Sequence, residues 1–476
     1  MISTAILTGS LVYSLQLSNS PPTCTRIDNI TVKEELNLQS RLESICQKYS
    51  CPETVTTPGR LVVNPLNQQY FSVNGQGTHF MAGAGDPENF LYRGLKQNNG
   101  TRKGDQLEII SRLSQFGVNG IYFQVVRSHG GDDRAKGDNN PFINSDISLG
   151  LNADVLDQWD TWMTRLDENH IVSYVFFYDD GARVWGKKGD GLCLEDVEFI
   201  RSIVDRFKHT KNLVWVVAEE FEEAFTVEEV KQFAAYIKAF DEYAHPVSVH
   251  RLNGSSFDEF LDTGELDQYA VQFTSDKSES FNRILNELWS TSKDSTFPFN
   301  LNLAEGHGSE ADTFGLGDYQ ADKARLYNWA IAMAGSNVMV LGMDVINTSD
   351  AELKELGLIA KFMNQIDLTH LSPDNSLAAG VTQYVLSNHD SQHVAYTNKP
   401  GEMGIRSVVK GRYQLLWFDT ITGRQVVEVV AVSESGVLSL QRPDIIGQEV
   451  VVRIKKINDQ LASSPDDELL NSGTKN

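Results

Sequence analysis

Apolar runs of five to eight residues recur along most of this chain. They lie near 78–84, 118–126, 171–178, 212–218, 246–250, 267–273, 298–304 and 337–342. Each is short and bounded by polar or turn residues, the pattern of a buried strand. Between them lie stretches with helical period and good helix formers, near 104–116, 153–169, 193–209, 226–243, 255–262, 278–292, 318–335 and 350–366. Eight strands alternating with eight helices predict an α/β fold, a (β/α)8 TIM barrel. A doubly wound open sheet is the competing arrangement. No Gly-x-Gly-x-x-Gly follows an early strand, which weakens it.

The pattern changes at both ends. Residues 1–58 have mixed polarity, with a helix expected over Val32–Lys48, and Pro58-Gly59 mark a boundary. From Leu61 the chain turns β-like, and Asn74-Gly75 is a hairpin signal. The domain from 59 to 378 is therefore a barrel preceded by a hairpin. Beyond it, short strand-like pieces replace the helices: Val381–Leu386, His393–Thr397, Ser407–Val409, Tyr413–Phe418, Val426–Val432, Val437–Leu440 and Glu449–Ile454. These predict a small C-terminal β-sandwich over 379–457. Residues 458–476 are polar and read as a disordered tail.

Charge narrows the partners. The 476 residues include 64 acidic and 41 basic side chains, a net charge of −23. Nucleic acid and anionic membrane surfaces both select for Lys and Arg, so neither is an expected partner. No apolar run reaches the ~20 residues that span a bilayer. The first basic residue is Arg26, so the N-terminal stretch is a poor match to a secretory signal. Cys24, Cys46 and Cys51 cluster near the N-terminus and Cys193 stands apart. Their spacing fits no zinc pattern. A disulfide among the first three and plain thiols are both open.

Two apolar runs end in acids, which an apolar setting tolerates poorly without purpose. One is Asn212-Leu-Val-Trp-Val-Val-Ala-Glu219-Glu220, the other Phe297-Pro-Phe-Asn-Leu-Asn-Leu-Ala-Glu305. In a barrel, the C-terminal strand ends gather catalytic groups from distant parts of the chain. Two facing carboxylates suffice to cleave a glycosidic bond. Unbroken alternation from Val214 places Glu220 at the mouth as general acid, with Glu219 as the alternative. Glu305 is the candidate nucleophile. Strict alternation would turn Asn300 and Asn302 toward the helices, so a bulge is expected in that strand. Gln124, Tyr178, Asp179, Glu219, His250, Gln272 and His307 end or follow other strands and suit sugar hydroxyls. Trp185 could stack on a sugar ring or pack in the core. No metal is expected: there is no His-x-His on the first strand, and His389 and His393 lie in β-like surroundings. No cofactor is implied. Neither a Gly-x-Ser-x-Gly elbow nor a phosphate loop is present.

Tyr70-Phe-Ser-Val-Asn-Gly75, Phe116-Gly-Val-Asn-Gly-Ile-Tyr-Phe-Gln124 and Asn212–Glu220 resemble segments of the apiosidase-like glycoside hydrolases. So, in the same order, do His245–His250, Gln272, Ala304-Glu305-Gly306, Leu371-Ser-Pro-Asp374 and Leu416–Gly423. The resemblance covers roughly 60–457 and leaves residues 1–58 unmatched. It implies a glycosidase barrel with Glu220 closing the fourth strand as acid/base and Glu305 closing the seventh as nucleophile. A small β domain, of a type labelled collagen-binding, would follow. Glu219 departs from the Asn or Gly that usually precedes the acid. The expectation is therefore a glycosidase acting on a poly- or oligosaccharide, with retention, outside the cell or on its surface. The alternative is a non-catalytic carbohydrate-binding or structural barrel.

Overall fold

The computed structural model describes residues 24–26, 38–53, 55, 58–85, 89–127, 139–252, 257–261, 263–274, 278–293, 300–307, 321–341 and 343–457, with the backbone alone for 300–307. The expected tail, 458–476, lies outside the described residues.

Helix α1 (Leu38–Tyr49) precedes a three-stranded antiparallel sheet of β1 (Leu61–Val63), β2 (Phe71–Val73) and β3 (Gln76–His79). Asn74 and Gly75 link β2 to β3 with φ of 59° and 71°, the left-handed pair that a tight hairpin requires. The barrel begins with β4 (Ala82–Gly85). A short ribbon, β5 (Leu95–Lys96) and β6 (Arg102–Lys103), sits in the first loop above it. Then α2 (Gln106–Phe116), β7 (Gly120–Val126), α3 (Ala153–Glu168), β8 (Val172–Tyr178), α4 (Leu194–Phe207), β9 (Leu213–Ala218) and α5 (Val227–Phe240) alternate. They are followed by β10 (Val247–Leu252), β11 (Gln268–Thr274), α6 (Ser278–Lys293), β12 (Asn300–His307), α7 (Ala321–Ala332), β13 (Asn337–Leu341) and α8 (Asp350–Met363). All eight expected strands form, and they close in the order β4-β7-β8-β9-β10-β11-β12-β13. The result is a TIM-like α/β barrel. One expected helix is corrected: where 255–262 was read as helical, the described residues form a single 3-10 turn, Asp258–Phe260.

Alternation sorts the side chains. Tyr122, Val172, Tyr174, Phe176, Val214, Val216, Ala270 and Met339 fill the interior, together with Leu61 and Phe71 from the hairpin. The hairpin therefore forms the floor of the barrel, opposite the strand ends that carry the acids. Leu213, Trp215, Val217, Val247, Val249, Tyr269, Val271 and Val338 face the helices. Close packing shows at Gly83, where a Cβ would collide with the Gly120 carbonyl of the neighbouring strand.

The bulge expected in the seventh barrel strand is present. Tyr269 pairs with Leu301 and Ala270 with Leu303, so Asn302 is the extra residue. Past the bulge, position 305 is level with Gln272 on β11 and with Met339 on β13. Ala270 and Met339 belong to the interior cluster, so position 305 falls in the interior series.

Nine strands follow α8. Six make one antiparallel sheet: β14 (Ser372–Pro373), β16 (Tyr384–Ser387), β17 (Gln392–Thr397), β22 (Val450–Ile457), β19 (Gly411–Asp419) and β20 (Gln425–Val432). Three make another: β15 (Ala378–Gly380), β18 (Met403–Val408) and β21 (Gly436–Leu440). One apolar cluster holds Trp417 and Val452 of the first sheet with Ile405 and Leu440 of the second. The other face of the larger sheet, with Leu386, Tyr396, Phe418 and Val451, joins the core of the barrel. Arg325 of α7 bridges the seam through Glu449 at 3.1 Å and Glu355 at 3.0 Å.

The described N-terminal residues, 24–26 and α1, lie on the outside of the barrel. Cys24 is bonded to Cys193 at the start of α4, and Cys46 to Cys51 beyond α1. Cys193 is thus not the isolated thiol that its place in the sequence suggests. Helix α1 lies on α5: Arg41 pairs with Glu228 near the top, and the Tyr49 ring meets Tyr236 and Phe240 near the bottom.

Candidate active site

Strand β9 ends at Ala218, and the next two residues part company. The Glu219 N–H donates to the Tyr178 carbonyl at 3.0 Å and prolongs the strand by one pairing. The Glu219 carboxylate accepts from Gln124 Nε2 at 2.7 Å. Gln124 follows Tyr122 by two on β7, so its amide rises from the interior face. Arg127 Nη1 donates to Gln124 Oε1, and Arg127 Nε lies 4.0 Å from Asp179 Oδ2. Gln124, Arg127 and Asp179 are all buried. A continuous chain of polar contacts therefore runs Asp179–Arg127–Gln124–Glu219 beneath the rim.

Glu220 reaches its place differently from the expectation. Alternation does not carry past Ala218; Glu220 sits at φ 40° and ψ 52°, a left-handed turn into the 3-10 segment Phe221–Glu223. Such a conformation costs a non-glycine residue of order 1 kcal/mol or more and clusters at functional sites. Its N–H donates to His250 Nδ1 at 3.0 Å. The Glu220 carboxylate comes together with those of Asp180 and Glu223, with oxygens within 4.8 Å of one another. Three carboxylates this close repel one another, and a cation would offset that. An all-oxygen set suits a hard cation such as calcium, which takes roughly six to eight oxygens. It is the one such group of three among the described residues.

His250 is fully buried on β10, with its ring edge-on to Phe176 at 5.9 Å. Because Nδ1 accepts from Glu220, the neutral ring carries its proton on Nε2. Gln272 sits on β11 in register with position 305. His307 closes β12 in register with Thr274. Glu219, Glu220, Asp179, Gln124, His250 and Gln272 thus gather at one end of the barrel, with the backbone positions of Glu305 and His307.

Tyr178 does not join them. Its ring is fully buried against Phe199, Phe225 and Phe233, on the helix side of the sheet. Its reading as a sugar-binding residue is corrected, because Phe177 and Tyr178 both turn toward the helices at the strand's end. Trp185 packs on Phe142 and Phe199 at 5.9 and 5.6 Å, which makes it a core residue.

The residues that the sequence did not single out hold the rim in place. Arg183 is buried between Glu229, at 2.8 Å, and Asp196, at 3.4 Å, with its guanidinium 4.8 Å from the Phe225 ring. Burial pushes the Glu229 carboxyl up, but Arg183 and the N–H groups of Thr226 and Gly189 outweigh that and hold it below its ordinary value. Burial raises the Asp196 carboxyl to about 6, with Arg183 pulling the other way. The only trace of this network in the sequence is the Thr226-x-x-Glu229 capping box of α5.

The barrel is shared with solved structures. A glycoside hydrolase has a TM-score of 0.57 at 13% identity, covering 84% of this chain and 99% of its own. A family 5 glycoside hydrolase from Bacteroides vulgatus has a TM-score of 0.58 at 14% identity, covering 84% and 95%. No curated protein sequence matches this chain significantly. A closed parallel barrel whose mouth collects acids and amides is an arrangement that glycosidases share, and the family model makes the protein one of them. More narrowly, residues 107–355 match the apiosidase-like catalytic domain, over half of the chain, and the protein belongs to that family. Its substrate is accordingly a carbohydrate.

Proposed function

We propose that this glycosidase uses Glu220 as acid/base and Glu305 as nucleophile, and retains the anomeric configuration. The observation that supports this best is the register of β12. The bulge at Asn302 brings position 305 level with Gln272 and Met339, at the same end of the barrel as the Glu219-Glu220 turn. In the first step Glu220 protonates the glycosidic oxygen while Glu305 attacks the anomeric carbon. In the second, Glu220 takes a proton from water as the water oxygen bonds to the anomeric carbon and displaces the Glu305 carboxylate, which releases the sugar. The His250 contact fixes the backbone of Glu220, and Asp180 and Glu223 bring their carboxylates close to its own. Glu219, held by Gln124, is then a partner for a substrate hydroxyl, as are Asp179, Gln272 and His307. Retention requires carboxyls ~5–5.5 Å apart.

A second reading exchanges the acids. The 2.7 Å contact with Gln124 draws the Glu219 carboxylate toward the interior face, which favours Glu219 as the proton donor. The test is a pair of variants, Glu220→Gln and Glu219→Gln, assayed on aryl glycosides with good and poor leaving groups. Loss of the acid slows poor leaving groups far more than good ones, and added azide restores turnover of the good ones. That behaviour in Glu220→Gln alone supports the first reading, and in Glu219→Gln alone the second.

The substrate is read as a poly- or oligosaccharide undergoing degradation. Glycosides of apiose belong in the first screen, as the family suggests. The C-terminal sheets are read as a β-sandwich that braces the barrel or binds carbohydrate. An extracellular or cell-surface location is supported by two disulfides, which persist in oxidising compartments. No helix among the described residues is long and apolar enough to cross a membrane.

A further inference from the structure

We infer that the Cys24–Cys193 disulfide is a positioning device for the catalytic rim, which makes the N-terminal segment part of the active-site machinery. The inference rests on the reading that the acid lies in the Glu219-Glu220 turn.

The segment 24–26 is docked at the top of the barrel by more than the sulfur bond. The Leu194 N–H donates to the Thr25 carbonyl at 2.9 Å. Glu195 accepts from the Thr25 N–H at 2.9 Å and from its hydroxyl at 2.7 Å. Arg26 and Cys193 form an isolated β-bridge. Cys193 also caps α4 and closes the loop that starts with Asp179 and Asp180.

That loop transmits the restraint. Gly186, at φ 69°, lies against both sulfurs: a Cβ there would sit 3.3 Å from Cys193 Sγ and 3.6 Å from Cys24 Sγ. Arg183 donates to the carbonyls of Lys187, Gly191 and Ala224 while paired with Glu229 and Asp196. Lys188 Nζ donates to the Glu222 carbonyl. Glu222 and Ala224 flank Glu223 in the turn that opens at Glu220. The path therefore runs from Cys24 through Cys193, the 179–192 loop and Arg183 to the left-handed backbone of Glu220. A strained conformation persists only where its surroundings over-determine it. The second disulfide, Cys46–Cys51, closes a loop of five residues at the end of α1, near the opposite end of the barrel, and serves as an internal control.

The experiment compares Cys24→Ser/Cys193→Ser with Cys46→Ser/Cys51→Ser, both folded by near-ultraviolet circular dichroism at the assay temperature. The first pair is expected to lose tenfold or more in kcat, with the basic limb of its pH–rate profile displaced and amide exchange faster in 179–192 and 219–224. The second pair is expected to stay within twofold of wild type in all three. If the first pair does not fold, Glu195→Gln keeps the disulfide but weakens the Thr25 clamp; faster exchange in the same two segments is then expected. A folded first pair with unchanged kcat, pH profile and exchange overturns the inference, as does unchanged exchange in Glu195→Gln. Exchange reports the rim whatever its chemistry. Failure of the acid assignment appears instead as an active Glu220→Gln.

Discussion

At the scale of single residues, the central feature is that neighbouring acids in one turn are held by unrelated partners. Glu219 is gripped through its carboxylate by Gln124, and Glu220 through its backbone by His250. The acids themselves were legible in the sequence, because apolar runs ending in carboxylates are costly unless the carboxylates have a purpose. Their partners were not, since Gln124 and His250 come from other strands and meet them only when the barrel closes. Tyr178 was misread for a related reason: alternation assigns it to the mouth, and only the aromatic cluster on α4 and α5 turns it away. Replacing Gln124 with Leu removes a hydrogen bond to a charged group worth about 1.5–3 kcal/mol. If that bond orients Glu219 toward substrate, kcat/KM should fall by about 10- to 100-fold at a temperature where the variant remains folded. Equal activity in Gln124→Leu would show that Glu219 needs no such hold.

At the scale of elements, the rim is fixed by a buried cation shared between two acids. Removing one partner of such a group costs about 3–5 kcal/mol, so Glu229→Gln should lower the melting temperature by several degrees. The two acids titrate in opposite senses. The Glu229 carboxyl is held below its ordinary value, so its stabilisation is present at neutral pH and is lost as pH falls through the folded value. The Asp196 carboxyl is raised to about 6 from 3.8, so its contribution is greatest below pH 3.8 and fades as pH rises through 6. The stability gap between wild type and Asp196→Asn should thus shrink from pH 4 to pH 7. The gap for Glu229→Gln should shrink in the other direction, below pH 4. Thermal melts of both variants across that range check the signs. The capping box on α5 could be read from Thr226 and Glu229, but the cation that exploits it is Arg183, on a loop with no pattern to mark it. The expected helix at 255–262 has a similar origin: among its described residues a short stretch with helical period makes only the turn Asp258–Phe260.

For the whole molecule, the order of strands and helices was legible almost completely, because hydrophobic period is set by burial and the barrel strands with described side chains are buried on both faces. The association of modules was less so. The hairpin reads locally as two strands and a turn, yet Leu61 and Phe71 complete the interior of the barrel. Phe71→Ala should cost about 3–5 kcal/mol and leave kcat unaltered well below the melting temperature, since the floor lies at the far end from the acids. The same logic applies to the seam with the C-terminal sheets. Arg325 is nearly buried there with Glu449 and Glu355, and Tyr396 and Thr420 donate to Glu449. Arg325→Ala leaves two acids without their cation, and calorimetry should show the single unfolding transition lowered or split in two.

In the proposed reaction the turn after β9 and the end of β12 face one sugar ring, and Glu305 forms the covalent intermediate. The most direct measurement uses an activated 2-deoxy-2-fluoro glycoside of the sugar the enzyme turns over, followed by peptide mass spectrometry of the inactivated protein. One sugar is expected per chain, on the peptide that contains Glu305, with no label in Glu305→Ala. Label on a different carboxylate, or a product whose anomeric configuration is inverted by an enzyme that never becomes labelled, would contradict it.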